Sequence, residues 1–243
     1  MVRRAVARPI RTIRGEPVAA GGYPWDVPAV RQILADGLEP GAVTILVGEN
    51  GSGKSTLVEA IAVAYGLSPE GGSTGARHST RATESPLSER VSLVRNPGAA
   101  RWGFFLRAET MHGFFSYLEA NPGGPDPAFH EMSHGESFVA TLSARFTDPG
   151  LYVMDEPEAA LSFTTTLALA HLLAEMARGE NRQAVVATHS PILAALPGAD
   201  LYELGPWGIR RTRWSDLALV AQWRRFLADP DRFLADPDRD GSS

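Results

Sequence analysis

An α/β fold built on a mainly parallel central sheet is what the sequence predicts, and three observations predict it. Val43-Thr44-Ile45-Leu46-Val47 is a β-branched apolar run of buried-strand length, followed at once by a glycine-rich loop and a helical pattern. Leu151 to Met154 is a second apolar run, and it ends in two acids, Asp155 and Glu156. After it a long apolar-striped helix, Phe163 to Arg178, leads to a third strand, Ala184 to Ala187. Strands alternating with helices are the pattern of parallel sheets.

Taken in order, Arg3 to Ile13 carries scattered β-branched residues and is expected to form an edge strand. Gly15 to Pro28 is turn-rich, and Val30 to Leu38 has the spacing of a short amphipathic helix. The first buried strand follows, then a helix over Ser55 to Tyr65 with Leu57, Val58, Ile61 and Ala62 as its apolar positions. From Gly66 to Ala100 glycine, serine, threonine, arginine and proline dominate without a period, so a loop-rich segment is expected. Trp102 to Leu106 has strand character, Phe114 to Glu119 that of a short helix, and Glu136 to Arg145 is again helical. Asn121 to Pro127 forces a turn between the two helices. Near the end Phe226-Leu-Ala-Asp-Pro-Asp-Arg232 is repeated identically as Phe233 to Arg239, a duplication expected to lie in a frayed terminus.

Composition narrows the chemistry. The chain has 243 residues, 44% of them hydrophobic, which suffices for the core of one large domain. With no cysteine, disulfides, thiolate zinc sites, iron–sulfur clusters and cysteine nucleophiles are excluded. No apolar run approaches the roughly 20 residues of a membrane-spanning helix, and the Arg-rich start lacks a signal-peptide core. A cytoplasmic protein without membrane insertion is expected. A net charge of −5 argues against coating nucleic acid through bulk charge. Two arginine clusters (Arg210, Arg211, Arg213; Arg224, Arg225) are either a local basic patch or ordinary solvated side chains. Of the 23 basic residues only Lys54 is a lysine.

That lysine lies in Gly48-Glu49-Asn50-Gly51-Ser52-Gly53-Lys54-Ser55, which fits the phosphate-loop pattern of four arbitrary residues between a glycine and Gly-Lys-Ser/Thr. Glycines let backbone N–H groups turn onto phosphate oxygens, the following helix offers its N-terminus, Lys54 reaches the β- and γ-phosphates, and the Ser55 hydroxyl suits Mg²⁺. Thr56 opens the helix beside it. Asp155, at the carboxyl end of its strand, is placed to hold Mg²⁺ through water, and Glu156 to polarise the attacking water as general base. Gln183-Ala-Val-Val-Ala-Thr-His189 delivers an imidazole to the same sheet edge, suited to a γ-phosphate contact. Ser133-His-Gly135-Glu136 offers a hydroxyl and helix N-terminal amides to an anion, although an ordinary helix cap has the same look.

With these four elements in this order the sequence resembles the ABC ATPase superfamily over roughly residues 40 to 200. They correspond to its Walker A loop (Gly48 to Ser55), signature (Met132 to Glu136), Walker B strand (Leu151 to Glu156) and switch histidine (His189). Ser-x-Gly-Glu and Asp-Glu-Pro-Glu-Ala look closer to the chromosome-maintenance, recombination and phage-defence branch than to transporters. The sequence also resembles a group of compact, single-domain bacterial ATPases that share Arg-Ala-Glu, Ser-His-Gly-Glu-Ser and Ala-Thr-His-Ser-Pro segments.

The resemblance implies one ATPase domain over residues 1–225, with a head-like P-loop NTPase fold, N-terminal antiparallel β elements and a small helical lobe at about 109–146. The duplicated tail would cover residues 226–243. It further implies ATP and Mg²⁺ as ligands, and an ATP-sandwiched homodimer in which Ser133 and Gly135 act across the interface. Three features depart from the family. The Q-loop glutamine has only Glu109 as a substitute, offered as a further metal contact. The D-loop aspartate is replaced by Ser162. Fewer than 30 residues separate Glu109 from Ser133, so no long coiled coil fits between them.

ATP hydrolysis is thus the expected activity, with catalytic roles for Glu156, His189 and Lys54. An ATP-gated nucleic-acid-binding module of DNA repair, recombination or phage defence is the alternative, with a transporter's energy-coupling subunit a further one, and nucleic acid or an unidentified protein is a possible partner. Tyr23 or Trp25 could stack on adenine, against packing or turn anchoring as the plainer role.

Overall fold

In chain order the elements are β1 (Ile10–Gly15), α1 (Pro28–Asp36), β2 (Val43–Gly48), α2 (Lys54–Tyr65), β3 (Gly72–Ser73), β4 (Val91–Arg95), β5 (Gly103–Arg107), β6 (Gly150–Asp155), α3 (Phe163–Arg178), β7 (Arg182–Thr188), α4 (Pro191–Ala194), β8 (Asp200–Gly205), β9 (Gly208–Arg211), α5 (Ala218–Ala228) and α6 (Pro230–Leu234). They come from a computed structural model that describes residues 7–19, 21–74, 85–107, 146–159, 161–179 and 181–234. The helices expected at Phe114 to Glu119 and Glu136 to Arg145 lie outside these residues, as do Glu109, Ser133 and Gly135.

Among the described residues seven strands form one sheet in the order β3-β5-β6-β7-β2-β8-β9, and β1 pairs with β4 as a separate ribbon. The five central strands β5, β6, β7, β2 and β8 run parallel, while β3 and β9 close the edges antiparallel. The strands read as continuous apolar runs because both faces are covered. In β2, Val43, Ile45 and Val47 join the core beneath α3 and α4, whereas Leu46 points into the core that α1, α2 and the β1–β4 ribbon cover. In β6, Tyr152 and Met154 take the first face and Leu151 and Val153 the second.

Most elements appear where the sequence predicts them, and α3 matches to the residue. Two segments differ. Gly66 to Ala100, expected as loop, contains β3, a short 3₁₀ turn over Pro86–Arg90 and β4. What makes β4 a strand is its antiparallel partner β1, roughly eighty residues earlier in the chain (Ile13 opposite Leu93). Local composition does not carry such long-range pairing. Beyond residue 200, the hairpin of β8 and β9 turns through Pro206 and Trp207, and α5 runs across the boundary expected at residue 226.

Gln183 ties the ribbon to the sheet. Its fully buried amide accepts from Ile10 N (2.7 Å) and donates to the carbonyls of Ile10 (3.0 Å), Pro40 (3.1 Å) and Gly41 (2.9 Å). Gln183→Leu keeps the volume but strands a buried N–H. It is expected to cost about 2–4 kcal/mol, read as a melting temperature roughly 4–16 °C lower.

Candidate nucleotide site

Strand register sets the site. Arg107 lies opposite Asp155 on β5 and β6, Asp155 opposite Ala187 on β6 and β7, and Thr188 opposite Val47 on β7 and β2. Four neighbouring strands therefore end on one line, and Arg107, Asp155, His189 and the loop that begins at Gly48 emerge together at the carboxyl edge. Ligands of parallel α/β sheets bind at this edge.

The loop wraps the start of α2. Gly53 caps that helix at φ 95°, a left-handed conformation, and a Cβ there would fall 2.6 Å from Val27 Cγ1, so only glycine fits. Lys54 is buried, with Nζ donating to the carbonyls of Gly48 (2.7 Å) and Glu49 (3.0 Å). Burial pulls its pKa below the ordinary lysine value, opposed by the charges of Glu156, Asp155 and Glu158. Among the described residues Ser52 Oγ, which is buried, has no hydrogen-bond partner, and a phosphate oxygen would satisfy it.

Two aromatics were candidates for the base. Trp25 is half-buried against the core beneath α1, so packing is its role. Tyr23 is 72% exposed, and its hydroxyl lies 2.5 Å from Thr56 Oγ1 at the first turn of α2. Turn anchoring thus holds an open ring beside the loop.

Next to the loop, the chain turns sharply after β6. Glu156 adopts φ 50°, left-handed for a residue with a side chain, and its N–H donates to Ala187 O at 2.9 Å. Such a conformation costs on the order of 1 kcal/mol and persists where surrounding contacts enforce it. Its carboxylate Oε1 stands 3.2 Å from His189 Nε2, without hydrogen-bond alignment, and both side chains are about one-third exposed (38% and 34%).

Two residues that the sequence analysis did not single out, Glu158 and Arg107, complete the arrangement. Glu158 Oε1 accepts from the Thr188 hydroxyl (2.6 Å) and from His189 N (2.7 Å), bracing the turn after β6 against the end of β7. The second glutamate of Asp-Glu-Pro-Glu is the available signal. Arg107 donates to Glu59 Oε2 on α2 (2.8 Å) and lies 3.8 Å from Asp155 Oδ2, linking that carboxylate to the helix behind the loop. Glu158→Ala removes two charge-assisted bonds, together about 2–4 kcal/mol. The expected result is a lower melting temperature together with a lower kcat, because His189 loses its anchor. Ser162 has a structural part: its hydroxyl accepts from Thr165 N (3.2 Å) and caps α3.

Among the described residues no cluster of three or more His, Asp or Glu side chains could hold a metal alone. Mg²⁺ does not need one, since it favours one or two protein oxygens plus substrate phosphates. The Ser55 hydroxyl and the buried Asp155 carboxylate are a donor set of that kind.

The basic cluster after β8 is largely committed within the chain. Arg210 pairs with the buried Glu203 (2.6 Å) and lies over the Trp207 ring, and Arg211 pairs with Asp200. Both guanidinium groups nevertheless stay more than half exposed, 53% and 70%.

Comparison with known proteins agrees with this geometry. The family model described as ABC transporter matches residues 34–159, just over half of the chain. Ribose import ATP-binding protein RbsA 1 of Burkholderia cenocepacia is 28% identical over 232 residues, covering 84% of this chain and 42% of its own. Aliphatic sulfonates import ATP-binding protein SsuB 2 of Rhodococcus jostii is 31% identical over 156 residues, covering 61% of this chain and 62% of its own. The chain thus spans about two-fifths of the ribose-import relative. Among solved structures, an SmcHead bound to the C-winged helix domain of ScpA aligns at TM-score 0.48 with 14% identity, covering 84% of this chain and 97% of that one. The SMC head domain from Thermotoga maritima aligns at TM-score 0.43 with 17% identity, covering 73% and 92%. Phosphate loop, paired acids and histidine on one sheet edge, together with the family match, make this chain an ABC-type P-loop ATP-binding domain, a member of the ABC transporter family.

Proposed function

We propose that the chain hydrolyses ATP to ADP and phosphate by direct attack of water on the γ-phosphorus, within a homodimer that closes around the nucleotide. The observation that carries this reading is the juxtaposition of the Glu156 carboxylate and the His189 imidazole, 3.2 Å apart, at the sheet edge that also bears the phosphate loop. In this scheme Glu156 takes the proton from the attacking water, the new O–P bond forms as the bond to the β-phosphate oxygen breaks, and the charge leaves on ADP. Lys54 follows the γ-phosphate by exchanging the Gly48 and Glu49 carbonyls for phosphate oxygens. His189 Nε2 orients water or phosphate opposite Glu156. Mg²⁺, held by Ser55 and through water by Asp155, would neutralise phosphate charge. Tyr23 would lie against the adenine.

Ser133 and Gly135 would come from the second copy and cap the γ-phosphate, and Glu109 would approach the metal. The unit would be one domain over residues 1–225, acting in the cytoplasm. No described helix is long and apolar enough to cross a membrane.

Phosphate release measured over a range of protein concentrations tests the dimer. Specific activity that rises with concentration before reaching a plateau is expected. Specific activity constant at every dilution, with a monomeric mass by light scattering in ATP, would sink the sandwich.

A role as the ATP-binding subunit of a transporter is a second reading, favoured by the import proteins among the relatives. The nucleic-acid alternative finds less support, because Glu203 and Asp200 already engage Arg210 and Arg211.

A further inference from the structure

On the face of the sheet away from the phosphate loop's helix, α3 and α5 stand apart and leave an apolar groove of about 580 Å³ floored by α4 and the chain to Pro197. Its floor is ordinary core, with Ala170, Leu196 and Val220 buried. Its walls are not. Phe163 is 71% exposed, Leu167 39%, Trp223 44% and Leu227 68%, with Trp214 at one rim. Leaving this much aromatic and aliphatic surface in water costs free energy that covering it would recover, and contiguous patches of this kind mark interaction surfaces.

The shape points to a helix. The lining positions on α3 run from Phe163 to Arg178, and fifteen residues at 1.5 Å each give roughly 22 Å of wall, longer than a small ligand needs and about four turns of an occupant. The charge gives the helix its sign. Among the described residues every titratable side chain lining the groove is basic or imidazole (His171, Arg178, Arg224) and no carboxylate lines it, in a chain where acids outnumber bases 28 to 23. Arg224 is held at the rim over the Trp214 ring, 5.0 Å from its centroid. Two segments of this chain are poor occupants by composition: residues 235–243 contain no large apolar side chain, and residues 1–6 bring Arg3 and Arg4 to an already basic rim. A second copy docked face to face would likewise oppose arginine with arginine.

We propose that this groove binds an acidic amphipathic helix of another protein, with apolar residues at i, i+3 or i+4 and i+7 seated between α3 and α5 and carboxylates reaching Arg178 and Arg224. Such a site would link the ATPase to its partner from a face separate from the nucleotide, and it holds whether or not the hydrolytic scheme above does.

The test uses two labelled 16-residue designed helices with the same leucine pattern, one with glutamate and one with lysine at the polar positions, titrated with the full chain by fluorescence anisotropy. The glutamate helix is expected to bind at least tenfold tighter than the lysine helix. Leu167→Asp, an exposed position, should weaken it at least tenfold while ATP binding and the melting curve stay unchanged. Arg178→Glu with Arg224→Glu should reverse the preference. Binding of neither helix, equal binding of both, or binding indifferent to Leu167→Asp overturns the proposal. So does a nucleotide-free dimer that Leu167→Asp converts to monomer, which would assign the groove to a second copy.

Discussion

Glu156→Gln is expected to lower ATP turnover by a factor on the order of 10²–10⁴, the usual contribution of a positioned general base, while leaving ATP affinity within about threefold of the native protein. The amide keeps the size and hydrogen-bonding reach of the carboxylate but cannot accept a proton at neutral pH, so the change isolates proton transfer from packing. Two features single out this residue over its acidic neighbours. Asp155 is buried and tied towards Arg107, and Glu158 already accepts two hydrogen bonds from the end of β7. Glu156 alone of the three is aimed by a left-handed backbone, with an imidazole nitrogen 3.2 Å away. Phosphate release and fluorescent-nucleotide titration, run side by side, separate the outcomes. A variant that binds ATP and turns it over at the native rate would remove Glu156 from the mechanism. If the sandwich forms, the slowed variant should also double its mass in ATP and Mg²⁺, because the closed state is no longer discharged.

Those elements were legible whose identity is local. A phosphate loop is a contiguous string, and the strand before it and helix after it are set by their own residues, so β2, α2 and the positions of Asp155, Glu156 and His189 could be read directly. What the sequence concealed depends on contacts distant along the chain. β4 is hidden because Val91, Leu93 and Val94 sit inside a segment dominated by glycine, serine, threonine, arginine and proline, and the strand is completed by pairing with β1. Gln183 reads as an unremarkable polar residue at the start of a strand, yet it is buried among carbonyls of the N-terminal third. Arg107 and Glu158 look like surface charges in one dimension, yet parallel register sets Arg107 opposite Asp155, and hydrogen bonds with Thr188 and His189 hold Glu158 at the same carboxyl edge. The two aromatics before the loop illustrate the same limit. Both fit a stacking role by spacing, and burial alone separates Trp25 from Tyr23.

Lys54→Ala is expected to weaken ATP binding by about 30- to 700-fold, corresponding to roughly 2–4 kcal/mol of charge-assisted hydrogen bonds, and to abolish measurable hydrolysis. Lys54→Arg should restore little of this, although it keeps the charge. The ammonium is buried and fits between the Gly48 and Glu49 carbonyls, and a planar guanidinium is bulkier, forked and cannot donate from one point. The chain's own usage agrees, since every other basic residue is arginine and lysine stands only here. Loss of binding must be told apart from loss of fold, and the electrostatics allow it. Burial disfavours the charged amine in the nucleotide-free protein, more than the surrounding acids offset. Removing it should therefore leave the melting temperature without ATP within a few degrees of the native value. The native protein alone should then gain stability when ATP is added, because only it binds appreciably. An arginine variant that binds ATP as tightly as the native chain would mean that charge alone suffices, and that the shape of the loop does not select the compact ammonium.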